Sequence, residues 1–198
     1  MSIKENIVYS LNQSRKMLEG LVDSMKSTDD WTHQVCPKAN HPLWVVGHLG
    51  LADNMFLSKL DESAGTKPDG WDDLFWFGSE VHPEAAKYPT PEATLTYCRE
   101  RREKLLAKIE TLPEEFFASP TPDEGMFADA PNMASMLMFI PYIVFGHVWE
   151  YHPLSSSQAL PYIHRDQHYR KYLEVHRDHV LFVVFVDLDL GLDLDLDT

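Results

Sequence analysis

Basic residues are scarce. Seventeen Lys and Arg stand against 31 Asp and Glu, a net charge of −14 over 198 residues. So acidic a chain repels phosphate backbones and anionic headgroups, which excludes nucleic acid and membrane surfaces as main partners. Five of the negative charges are aspartates in the last twelve residues, and without them the body stays acidic, near −9. Cysteine is scarcer still: Cys36 and Cys98 are too few for a disulfide scaffold and form no C-x-x-C pair. A reduced, cytoplasmic setting is therefore expected. Long apolar runs are missing too. The longest strictly apolar stretch is Val180–Val186, far short of the roughly 20 residues of a membrane helix. The opening M-S-I-K-E-N is polar and helical in pattern, not a signal peptide. There is no internal repeat, no G-x-S-x-G, no P-loop and no H-E-x-x-H, so common hydrolase, nucleotide and zinc-protease readings have no motif to rest on.

What is present is a globular composition, 44% hydrophobic and 12% aromatic, long enough for one domain with a sizeable core. Ile3, Ile7, Leu11, Leu18, Leu21, Val22 and Met25 recur with a 3.6-residue period and predict a helix over 2–26, with Ser2 and Glu5 as a capping box. Residues 27–40 read as a polar connection. Asn40 as N-cap and Pro42 in the first turn open a second helix to about Leu60. Residues 62–89 carry breakers, yet Trp71, Phe75, Trp76 and Phe77 make that connection strongly aromatic. It either packs over the bundle or walls a pocket. Thr90-Pro91 opens a third helix with Leu95, Cys98, Leu105, Leu106, Ile109 and Leu112 inward. Its run R-E-R-R-E-K at 99–104 reads as a solvated face with local ion pairs. Residues 113–131 are a proline-rich connection. A fourth helix begins near Asn132, and Pro141 should kink or interrupt it. The expected fold is all-α, a four-helix bundle with long crossing loops.

The stretch Asn40–Leu49, N-H-P-L-W-V-V-G-H-L, places His48 within an apolar surface, with Gly47 and Gly50 leaving room near the backbone. A histidine there is a satisfied core residue or a metal ligand. This motif resembles the second helix of the DinB/YfiT-like superfamily, the damage-inducible four-helix-bundle proteins. The F-G-S loop end, the Y-P-T-P-E entry and the L-P-E-E exit of the third helix also resemble that family, over roughly residues 1–152. The resemblance implies a divalent metal (Zn, Ni or Fe) held by three histidines. His48 matches the one from the second helix, and the other two lie four apart on the last helix. It further implies thiol-dependent transferase activity in some members. Imidazole ligands suit these metals and leave positions open for water or a thiolate.

At the last helix the pattern departs from the family's. His147 and His152 are five residues apart, a rotation of about 140° on an ideal helix, and Pro153 disfavours helical geometry at His152. Three registers remain. One uses His147 and His152. One makes His147 the second family histidine and puts Ile143 at the first. One aligns Gln158 with the glutamine of the Gly-Gln that, by the same resemblance, often closely follows the family's last histidines, and puts Tyr151 and Ser155 at the ligand positions. His164 and His168 share a helix face but read as surface residues among Arg165, Arg170 and Lys171. After His152 the composition shifts, ending in the alternating D-L-D-L-G-L-D-L-D-L-D-T. The expected organisation is a bundle over 1–152 and a divergent, irregular, partly disordered extension over 153–198.

Two functions follow. One is a metal-dependent enzyme, a thiol-dependent S-transferase or small-molecule hydrolase, with His48, His147 and His152 as metal ligands. Its partners would be a small-molecule substrate and a low-molecular-weight thiol. The other is a bundle with a degenerate metal site, serving as a binding or oligomerisation module. A homodimer is left open.

Overall fold

A computed structural model describes residues 1–35, 39–121, 126, 127 and 129–149. Cys36, His152 and the 153–198 extension lie outside these residues. The described part is all-helical, without strands: α1 (Ile3–Ser24), α2 (Thr28–Trp31), α3 (Pro42–Leu60), α4 (Trp71–Phe75), α5 (Pro91–Thr111) and α6 (Met133–Trp149). Short 3-10 turns lie at Glu62–Ala64, Ala85–Lys87 and Glu114–Ala118. The four long helices form the bundle. α3 packs most extensively on α5 and α1 on α6, with α3–α6 and α1–α5 contacts between the pairs.

Local chemistry sets the helix ends. Ser2 Oγ accepts from the Glu5 amide at 3.2 Å while the Glu5 carboxylate accepts from the Ser2 amide at 2.7 Å, a reciprocal cap. Glu114, far along the chain, adds a carboxylate oxygen that accepts from the amides of Ile3 (2.6 Å) and Lys4 (3.3 Å). That ties the 113–118 connection to the positive end of α1. Thr90 Oγ1 caps α5 by accepting from the Ala93 amide. The cap of α3 differs from expectation: it is His41, not Asn40, whose Nδ1 accepts from the Trp44 amide at 3.0 Å. The 27–40 connection also holds a helical turn, α2, because Asp30 turns back to accept from the Ser27 and Lys26 amides. Helix α6 runs through Pro141 without interruption. Met136, Leu137, Ile140 and Val144 bury that helix against the core, and such burial outweighs a missing backbone hydrogen bond.

The core has two clusters. One gathers Leu18, Leu21, Leu43, Trp44, Val46, Trp71, Phe75, Cys98 and Val144. The other gathers Ile7, Leu11, Phe56, Leu105, Phe117, Met136 and Ile140. The 99–104 run is only partly a solvated face. Arg99 pairs with Glu19 and Lys104 with Glu100 at the surface, but Arg101 and Arg102 are buried. Arg102 grips Asp53 of α3 bidentately at 2.8 and 2.9 Å, and its Nη1 donates to the Leu11 carbonyl (2.9 Å) and Ser14 Oγ (3.2 Å) of α1. A buried cation survives when its donors find acceptors; here each of the three guanidinium nitrogens has one, and the acceptors come from two other helices. No described helix is long and apolar enough to cross a membrane.

Candidate metal centre

Helix α3 starts at a rigid point. With His41 Nδ1 accepting from the helix, the ring proton sits on Nε2 and donates to the His82 carbonyl at 3.0 Å. The Tyr88 ring meets the His41 ring edge-on at 4.9 Å. Two turns on, His48 is fully buried. Trp44, four residues earlier and so on the same helix face, stacks on His48 with centroids 4.8 Å apart and planes 9° from parallel. The Trp44 indole donates to Ser79 Oγ at 2.9 Å, which fastens the aromatic connection to α3. Trp71 and Phe75 from that connection are buried, while Trp76 and Phe77 flank His48 at 6.2 and 4.7 Å. The connection thus packs on the bundle and also walls the histidine.

The tautomer of His48 follows from its one hydrogen bond. Nδ1 lies 2.8 Å from the Phe75 carbonyl. A carbonyl only accepts, so Nδ1 carries the proton and Nε2 keeps its lone pair. That Nε2 is buried with no hydrogen-bond partner among the described residues. Helix α6 brings His147 opposite, with ring centroids 5.1 Å apart at 76°. His147 is half-buried as a residue, but its Nδ1 is buried and has no partner among the described residues. Trp44 meets this ring as well, at 5.9 Å. Burial pushes the His48 pKa down to about 4. Burial, and then repulsion from a charged His48, push His147 down to about 3. Both rings are therefore neutral near pH 7, the state in which imidazole binds metal.

These residues suit a divalent ion. Leaving a buried polar atom unpaired costs about 1–3 kcal/mol, and here two such atoms sit on neighbouring rings. Imidazoles bound to one tetrahedral ion at about 2.0–2.1 Å have ring centres about 5 Å apart, the spacing seen. Among the described residues no group of three His, Cys, Asp or Glu could hold a metal ion, and His152 lies outside them. Cys98 offers no thiolate: it is buried in the core and burial pushes its thiol up to about 12.

Sequence patterning singled out His48 and His147 and missed Trp44 and the Phe75 carbonyl. Trp44 carried a readable signal, the i,i+4 spacing to His48. A main-chain carbonyl carries none. A family model described as the DinB superfamily matches residues 10–148. No curated protein matches the chain.

Proposed function

The chain belongs to the DinB superfamily, and we propose that it is a metal-dependent enzyme whose divalent ion is held by His48 and His147. The observation behind this reading is a pair of buried imidazole nitrogens, unpartnered among the described residues, on two rings whose centroids lie 5.1 Å apart between α3 and α6. His152, closely following α6, is the proposed third ligand. Zinc, nickel and iron(II) all suit an imidazole set.

Such an ion would supply Lewis acidity, holding a thiol or water as its conjugate base near neutral pH. The protein's own part is distinct. His48 is held in one tautomer by the Phe75 carbonyl, and Trp44 fixes both imidazole planes. Trp44 and Trp76 wall the site with apolar surface, which keeps bulk water from the nucleophile. A low-molecular-weight thiol attacking a small electrophile, an S-transfer, fits this arrangement. Attack by water on a small molecule would use the same residues. A non-catalytic binding module is the second reading, favoured by the finding of two histidines and no third ligand among the described residues.

Elemental analysis of untagged protein, with and without added Zn, Ni or Fe(II), tests the metal. A single ion per chain is expected, lost in His48→Ala. Screening the loaded protein for thiol consumption with small alkylating electrophiles then separates the two readings. Stoichiometric metal retained by His48→Ala would refute the ligand assignment.

A further inference from the structure

Gly47 sits inside a regular stretch of α3, so no turn requires it. A Cβ there would lie 2.5 Å from Cε1 and 2.6 Å from Cγ of Phe75, and closer still to Cδ1. Only a hydrogen at this position lets the ring rest against the helix backbone. Phe75 is fully buried and is backed by Trp71, whose ring lies 5.2 Å away, and by Tyr88 at 5.5 Å. The residue whose ring seats on Gly47 is also the residue whose carbonyl accepts from His48 Nδ1. Adjacent positions of α3 thus meet one residue of the aromatic connection twice, once through its side chain and once through its main chain.

We propose that Phe75, seated on Gly47, is the positioning residue of this site: its main-chain carbonyl holds His48 as the Nδ1–H tautomer and so makes Nε2 the nitrogen offered to a divalent cation. The inference rests on the metal-site reading above and adds to it the part that selects the ligand atom. It is an outer-shell contact of the kind that orients a histidine ligand and raises its basicity. Its consequence is reciprocal: whatever unseats the Phe75 ring weakens the metal, and the metal tightens the Trp71–Phe75 turn.

The test is nitrogen NMR of side-chain-labelled metal-free protein, paired with Zn²⁺ titration. In the wild type at neutral pH, His48 Nδ1 should carry the proton and Nε2 should not. Gly47→Ala should displace the Phe75 ring, mix the His48 tautomers and weaken Zn²⁺ binding about 10–100-fold, with helical circular dichroism unchanged. Gly47→Ala combined with Phe75→Ala removes the colliding Cγ, Cδ1 and Cε1 atoms while keeping the carbonyl, and should move both readouts back toward the wild type. The double variant is also the one to read if the single variant does not fold. The proposal is overturned if wild-type His48 is protonated on Nε2, or if Gly47→Ala leaves the tautomer unmixed. It is equally overturned if the tautomers mix with Zn²⁺ affinity unchanged, or if the double variant recovers neither. A wild type that binds no Zn²⁺ refutes the metal reading instead, and the tautomer of His48 in the metal-free variants still decides whether Phe75 positions it.

Discussion

Replacing Arg102 with Met should unfold much of what holds α1, α3 and α5 together. Arg102 and Asp53 are 3% and 1% exposed, so water cannot replace the lost partner. The substitution removes both bonds to the Asp53 carboxylate and those to the Leu11 carbonyl and Ser14 Oγ. Methionine fills most of the volume, so the cost is mainly that of a carboxylate left buried and unpaired, about 3–5 kcal/mol. Against a typical total of about 5–15 kcal/mol, that is a large share. Urea unfolding followed by circular dichroism would report it as a lower midpoint at unchanged slope. Pairing Arg102→Met with Asp53→Leu removes both charges and should recover most of the loss, since an apolar replacement of a whole buried pair is often neutral. A single variant costing under about 1 kcal/mol would refute the view that this pair is desolvated.

Other expectations can be checked in the same assay. Metal-free protein should lose stability as pH falls below about 6.5. There the unfolded chain protonates its histidines while native His48, held down to about 4 by burial, does not; the native state then binds fewer protons and stability drops. By pH 5 the His48 share is about 2 kcal/mol, and His48→Gln should flatten that part of the pH profile. A variant with the same slope as wild type would contradict the buried neutral imidazole. Gly50→Ala should cost about 1–3 kcal/mol, because its Cβ would lie 2.9 Å from Tyr97 Cδ1 and 3.1 Å from the Cys98 Cα, forcing α3 and α5 apart. Gly20→Ala, with nothing within 4 Å of its Cβ among the described residues, should instead stabilise α1 by about 0.5–1 kcal/mol; a loss there would mean α1 is not a regular helix at that point.

Much of the bundle was readable because apolar periodicity and capping chemistry agree. Pro42–Leu60 and the Ser2–Glu5 box follow directly from residue order. Arg101 and Arg102 escaped because charge is ordinarily a solvent signal. Yet they fall three and four residues from Cys98 and from Leu105, on the stripe that α5 buries. What spacing could not supply was Asp53, a partner on another helix. His41 displaced Asn40 as cap because an imidazole Nδ1 can accept from the third-residue amide, that of Trp44, when its Nε2 finds a carbonyl, and that carbonyl belongs to His82, 41 residues on. At the candidate site, His48 stood out as the polar residue on an apolar face, and the structure sets it against His147. Its tautomer depends on a backbone oxygen of Phe75, which no side-chain pattern encodes.

Cobalt titration of metal-free protein, followed by visible absorption, addresses the metal site most directly, because the ligand-field bands of Co²⁺ respond to which ligands are present. Saturation at a single ion per chain, with bands lost in both His48→Ala and His147→Ala, is the expected result. No saturable band in the wild type, or the same band in His48→Ala, would contradict a shared imidazole site between α3 and α6.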